Sequence, residues 1–459
     1  MILGGVFERF VEHSPISVMF RGAMERALDM RELDQLFTDT AERQYTRTLL
    51  FSSVVDVMSL VVCQIRPSVR AAYIALEDQV GVSVNALYDK LDRLEPNIGA
   101  ALVKHTADKI LPVLRQAKGG REPLLSGYRL RILDGNHLAG TEHRLQELRP
   151  LAAGALPGQA LAVLDPQWGL ITDIIPEEDG HAQERALLPQ VLDRVEPKDV
   201  WVADRNFCTT DFLLGVADRQ AYFIIREHAQ NAPWKAAGRR YGRGRCETGR
   251  LYEQVVQLRD GQGRVLRLRR ITVKLDQPTR DGDWEFHILT NLPASVAPAR
   301  TVAAIYRHRW TVEIAFGELA TVLASEIDTL AYPKAALFAF SVAIVAYNIL
   351  SMVKGALRAV HGVEKIDEEL STYYVADEIA TTYHGMMIAI PEKHWKVFGR
   401  LSVRAMATVM KELARKVRLK AFRKHPRGPK KPPVKKRYNK HQPHVSTARI
   451  LARRAILTN

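Results

Sequence analysis

The sequence predicts an α/β protein: a mixed sheet with flanking helices, interrupted by an all-β piece and bordered by helical regions at both ends. Three observations lead there. Between Tyr128 and Glu227 the apolar runs alternate between strand and helix character in the order β-β-β-α-β-α-β, which suits a mixed sheet. From Cys246 to Leu292 strand-like runs dominate, separated by Asp-Gly and Gly-Gln-Gly turns. Before residue 120 and after Ala331 the apolar residues recur with helical spacing.

The elements follow in order. "TRTLLFSSVVDVMSLVVCQI" is a strongly apolar helix. "YIALEDQVGVSVNALYDKLDRLE" reads as helix, Gly-Val-Ser turn, helix, resembling a helix-turn-helix with Asn85 to Leu94 as the recognition helix. "AKGGREPLLSG" is a loop. "YRLRILDGN" alternates as a strand ending near Asp134, and "QALAVLDPQWGLITDIIPEE" is a hairpin around a Pro-Gly turn. "HAQERALLPQVLDRV" has helical spacing, "DVWVADRNF" is a buried strand ending at Asp204, and "TTDFLLGVADRQ" is a helix begun by a Thr cap. "AYFIIRE" is the next strand, and "NAPWKAAGRRYGRGR" is a basic, Gly-containing stretch. The boundaries are 1–120, 121–227, 228–295, 296–330, 331–415 and 416–459, the last a basic, partly disordered tail.

The 459 residues suffice for two to four domains. Lys+Arg 66 against Asp+Glu 51 gives a formal charge of +15. So basic a balance favours a polyanion, with nucleic acid ahead of an anionic membrane surface. The excess is uneven: Val417 to Arg454 contains no Asp or Glu. Cys63, Cys208 and Cys246 are odd in number and far apart, which argues against a disulfide framework or structural zinc and fits a reducing cytoplasm. The N-terminus lacks signal-peptide character. "ALFAFSVAIVAYNILSMV", Ala336 to Val353, is short of a comfortable membrane span and holds Ser341 and Asn348. It reads as a buried core helix, so no membrane partner is expected.

The chemistry concentrates in "IYRHRWTVEIAFGELA", Ile305 to Ala320. On one helix Tyr306, Arg309 and Glu313 fall within roughly 60° of each other, with Trp310, Val312 and Phe316 as apolar anchors. The plainer reading is a salt-bridged surface stripe. Two further carboxylates end strands: Asp134 the first and Asp204 the fourth. Side by side, those strands would bring both acids together, and a helix crossing the edge would add Glu313. Three carboxylates without basic partners would raise one another's pKa. Hard divalent cations remove that cost, and Mg²⁺ suits phosphate substrates. Each acid also has a plainer role: Asp134 as a turn residue, Asp204 as a cap, Glu313 in a surface ion pair.

"ILDGNHL", "VADRNF" and "YRHRWTVE" together resemble the three acidic motifs of DDE transposases from bacterial insertion sequences. The nearest branch is the insertion-sequence-four family, whose last motif is Tyr-x2-Arg-x3-Glu-x6-Lys. The resemblance covers about Tyr128 to Leu330. It implies an RNase H-like catalytic core in two parts (121–227 and 296–330) around a β insertion at 228–295. It further implies that Asp134, Asp204 and Glu313 are catalytic and hold two Mg²⁺ ions, with Mn²⁺ as a substitute. Tyr306 and Arg309 would contact the DNA backbone near the cleaved end. The family's Lys position holds Ala320 here, with Glu318 nearby on a different helix face. Arg307 or the basic loop Arg239 to Arg245 would have to compensate.

Weaker candidates complete the set. Trp284 could stack a flipped base, although a core Trp is the plainer reading. Arg205 could bind phosphate or pair with a carboxylate. His137, His181 and His308 read as solvated or structural, since such a site uses oxygen ligands. Asp165, Asp173 and Asp211 read as turn, edge and cap residues. The expectation is a cut-and-paste transposase, cytoplasmic and nucleoid-associated in a bacterium. It would bind terminal inverted repeats and target DNA, with a homodimer in the DNA complex. Region 1–120 would recognise the ends, and the basic C-terminus would add salt-sensitive affinity. The competitors are an RNase H-like nuclease without strand transfer, a domesticated or inactive copy that binds DNA without cutting, and a membrane-surface protein using the basic tail.

Overall fold

A ten-stranded mixed sheet runs through the described part of the protein. The computed structural model describes residues 3–44, 46, 48–138, 145–151, 153–228, 230–279, 282–425 and 444–458. Its strands are β1 (Arg129–Leu138), β2 (Gly154–Leu156, outside this sheet), β3 (Gly158–Asp165), β4 (Leu170–Glu177), β5 (Asp199–Ala203) and β6 (Tyr222–Arg226). There follow β7 (Trp234–Ala236), β8 (Tyr241–Cys246), β9 (Gly249–Arg259), β10 (Val265–Leu275) and β11 (Glu285–Thr290). The order is β4-β3-β1-β5-β6-β11-β10-β9-β7, with β8 also on β9. β1, β5 and β6 pair in parallel, while β3 and β4 are antiparallel. The hairpin expected around the Pro-Gly turn forms. Gly169, at φ 68°, takes the left-handed position there, and Asp165 Oδ1 accepts from Gln167 N at 3.0 Å as the expected turn residue.

Side chains alternate across the sheet. Leu133, Ala203, Ile225 and Leu289 pack on one face with Phe207, Phe212 and Leu213 around the helix Thr210–Asp218. Ile132, Val202, Ile224 and Ile288 face the other way, into the larger core that holds the helix Pro333–His361. That helix is longer than the sequence suggested. By length and composition it could cross a membrane, but its most apolar window is 100% buried in the fold. Its polar residues serve the hairpin: Asn348 exchanges hydrogen bonds with Ile171 O and N at 2.8 and 2.9 Å, and Ser351 Oγ donates to Gly169 O at 2.7 Å.

Several expectations are corrected. The strands read between Cys246 and Leu292 form, and β11 pairs with β6, so the piece continues the sheet. Part of the basic stretch before them is strand, as β7 and β8. The helical regions before residue 120 and after Ala331 share one core: Pro96–Ala117 packs on Pro333–His361, and Pro15–Ala27 on Glu392–Arg400. The second helix of the helix-turn-helix reading is Val84–Leu91, capped by Ser83, and ends before Leu94. The basic tail is also not uniform. Its Lys-rich run 426–443 lies outside the described residues, but β12 (His444–Ser446) pairs in parallel with β2 and leads into the helix Thr447–Thr458.

Candidate active site

β1 and β5 stay paired up to Leu133 and Ala203. The next residue on each is an aspartate, Asp134 and Asp204. The first and fourth strands of the sequence reading are therefore neighbours. Asp134 does not end its strand, however: β3 continues the pairing from Asp134↔Ala162 to Leu138↔Gly158. Asp134 sits two residues beyond Ile132, so alternation turns it toward the face that holds the helix Pro333–His361. Asp204 leaves the sheet into the short 3₁₀ turn Arg205–Phe207, and its Oδ1 accepts from Asn206 N at 2.7 Å. Thr209 caps the following helix, as expected.

The single helix read through Tyr306, Arg309 and Glu313 is two helices, Ala299–Arg307 and Trp310–Thr321. The junction is a tight turn in which His308 N and Arg309 N donate to Ile305 O and Tyr306 O at 2.9 and 3.0 Å. Arg309 is not free for phosphate here. Its Nη1 donates to Asp134 Oδ2 at 2.9 Å, its Nη2 to Glu313 Oε1 at 2.6 Å, and its guanidinium lies 5.1 Å from the Trp310 ring centroid. The premise that the acids lack a basic partner is thus overturned. Trp310 is no anchor either, being 60% exposed, whereas Val312 is buried.

Burial pushes the Asp134 carboxyl up to about 7, against the pull of Arg309 and Gly135 N and with help from Asp204 and Glu313. Asp134 therefore senses both of the other acids. Burial also pushes the Tyr306 phenol up to about 12, and its ring lies 5.8 Å from that of Phe286 on β11. The donor chemistry fits a hard divalent cation: carboxylate oxygens from Asp134, Asp204 and Glu313, with the Asp134 carboxyl pushed up by burial in spite of Arg309. In the present arrangement a guanidinium spans two of them. Among the described residues no group of three His, Cys, Asp or Glu closes into a metal cluster.

The other candidates scatter. Arg205 is exposed beside Asp204. Arg307 is bound to Glu247, while in the neighbouring basic stretch Arg243 holds Glu253 at 2.8 Å and Arg245 holds Asp276 at 2.6 Å. Trp284 is 63% exposed, so the core reading fails. Ala320 is exposed, and Glu318 holds Lys354 at 2.8 Å instead of facing the site. His137, His181 and His308 are exposed. Asp173 lies on the edge strand β4 and pairs with Arg194 at 3.4 Å, and Asp211 opens the helix Thr210–Asp218. Cys63 and Cys208 are buried, and all three cysteines are free.

Sequence reading missed Glu184. It lies in a 3₁₀ turn before β5, and its carboxylate accepts from the Asn206 side chain. Nothing in its local pattern marks it, because its partner lies on the far side of a strand.

Residues 125–349, just under half of the chain, match the family model described as "Transposase DDE domain". This match supports a DDE transposase, an enzyme of DNA transposition. Asp134, Asp204 and Glu313 all fall within the matched residues. No curated protein matches the chain. A solved structure, the cryo-EM structure of piggyBac transposase synaptic complex with hairpin DNA, covers 85% of this chain and 86% of its own at 11% identity and a TM-score of 0.36.

Proposed function

We propose that this protein is a cut-and-paste DNA transposase of the insertion-sequence-four type, acting on the terminal inverted repeats of its own element. The observation that carries the reading is the adjacency of Asp134 and Asp204 where β5 leaves β1, with Glu313 tied to Asp134 through Arg309. The arrangement of β4, β3, β1, β5 and β6, in which β3 alone runs opposite to the other four strands, supports an RNase H-like core.

Asp134, Asp204 and Glu313 would hold Mg²⁺, or Mn²⁺ in its place. When bound, such ions would supply activation of a water or a 3′-hydroxyl and charge for the leaving oxygen. The chain's own residues orient the substrate. Arg309, once released from the carboxylates, offers a two-pronged donor to a phosphate. Tyr306 keeps its proton at working pH and donates to the backbone beside it. Arg205 and, once freed from Glu247, Arg307 would add phosphate contacts, and Trp284 presents a ring on which an unpaired base can stack. The formal charge of +15 supplies salt-sensitive affinity for DNA. Handling two element ends together calls for a homodimer on DNA, in the cytoplasm beside the bacterial nucleoid.

The test incubates purified protein and Mg²⁺ with a supercoiled plasmid carrying the gene's native flanking DNA, beside an Asp204→Asn control. Breaks at both element boundaries, absent from the control, are expected. Joining of pre-cut 3′-hydroxyl ends to target DNA then separates a transposase from a plain nuclease. Retarded DNA without breaks would sink the catalytic reading in favour of binding without cutting. Ala320 at the family's Lys position and Arg309 across the acids speak for that second reading.

A further inference from the structure

We infer that Glu184 is a positioning residue of the acidic site, holding Asp204 in place through Asn206; this rests on the transposase reading above. Asp204 needs such help. It stands where the chain leaves β5, beyond the last β1–β5 pair at Leu133↔Ala203. What orients it is the turn that follows, since Asp204 Oδ1 accepts from Asn206 N at 2.7 Å. The side chain of the same asparagine donates through Nδ2 to Glu184 Oε2. Asn206 is therefore gripped at its backbone by Asp204 and at its amide by Glu184.

The other oxygen of Glu184 reaches the first aspartate's neighbour. A Cβ on Gly135 would overlap Glu184 Oε1. Gly135 is not in the left-handed region, so glycine serves there to make room, not to permit a turn. Glu184 thus touches the residue after Asp134 and the second residue after Asp204. It spans the point where the two strands part.

The loop that delivers Glu184 is itself fixed. Gln159 Nε2 donates to Asp179 O at 3.2 Å and Ala182 O at 2.6 Å. Asp179 accepts from Ser446 Oγ at 2.6 Å and Arg449 Nε at 2.8 Å. The returning C-terminus therefore pins the loop from outside. A carboxylate held this way reaches a cation already oriented, and removing such an outer partner typically costs about 10–100-fold in metal affinity or activity.

The experiment uses the full chain without DNA and reads Mn²⁺ affinity by electron paramagnetic resonance. Glu184→Ala and Gly135→Ala should each weaken Mn²⁺ binding by about 10-fold or more. Glu184→Gln should stay close to the unmodified protein, because its amide oxygen still accepts from Asn206. The double variant Gly135→Ala/Glu184→Ala should match Glu184→Ala alone, since the methyl then enters vacated space. Glu184→Ala binding Mn²⁺ as tightly as the unmodified protein would overturn the role. So would Glu184→Gln failing as badly as Glu184→Ala, which would make the charge itself the requirement. The unmodified protein against Asp204→Asn checks the underlying reading separately: equal Mn²⁺ binding by those two refutes the acidic metal site. The Asn206 side-chain amide resonance, read without metal, tests the hydrogen bond alone. It should move in Glu184→Ala but not in Glu184→Gln, and an unmoved resonance in Glu184→Ala would refute the positioning role.

Discussion

Arg309 joins Asp134 to Glu313, with one guanidinium nitrogen on each carboxylate at 2.9 and 2.6 Å. The clasp neutralises acids that a metal-loaded site would turn toward cations. Arg309→Ala should therefore lose about 1–3 kcal/mol of stability in EDTA, the scale for half-buried carboxylates deprived of a charged donor. Added Mn²⁺ should raise its melting temperature more than that of the unmodified protein, because no guanidinium competes. Equal stability and equal Mn²⁺ gain in both proteins would show that the clasp is not formed in solution.

Asp134 gives a pH signature. Its folded carboxyl stands at about 7 against 3.8 for the free group, so the folded chain binds the proton more tightly. Its contribution to stability is fully present below about pH 4 and is lost as pH rises through about 7. Denaturation across that window should show this loss, and Asp134→Asn should remove it. Cleavage should run the other way, rising through about pH 7 as the proton leaves. Its midpoint should move to lower pH as Mg²⁺ is increased, since cation and proton compete.

Lys354 and Glu318 brace the helix that carries Glu313. Lys354 Nζ donates to both Glu318 oxygens at 2.8 and 3.0 Å, and Thr372 Oγ1 adds a third bond at 2.7 Å. Lys354→Met should cost about 1–3 kcal/mol by leaving a half-buried carboxylate without its cation. The double variant Lys354→Met/Glu318→Leu should recover most of that loss in urea denaturation. A single variant as stable as the parent would mean the pair is solvated.

Trp284 separates binding from folding. Because it is 63% exposed, Trp284→Ala should change stability by no more than about 0.5 kcal/mol. Affinity for a DNA end with unpaired bases should fall by about 1–3 kcal/mol, the scale of one base–aromatic stack. Unchanged affinity would remove Trp284 from the DNA-contacting set.

The placement of Asp134 and Asp204 was legible because strand alternation and the strand order are local signals, and the two parallel strands do lie side by side up to Leu133 and Ala203. The length of β1 was not, because β3 holds the strand after β5 has left it. Trp310 and Trp284 misled for a related reason: an aromatic in an apolar pattern looks like core until the packing partner is known, and both have mostly water. The helix break at His308–Arg309 was hidden because no Gly or Pro marks it.

By itself the sequence determined the order of strands and helices around the site, the three acids, and the basic charge that favours DNA, since periodicity, turn residues and composition are properties of short stretches. Only the tertiary structure decided what those residues touch. Arg309 meets Asp134 across 175 positions of chain, Glu184 meets Asn206 around a strand, and Ser446 and Arg449 return to Asp179. Contacts of that range depend on how whole elements pack, and packing is a property of the assembled core that no local pattern carries.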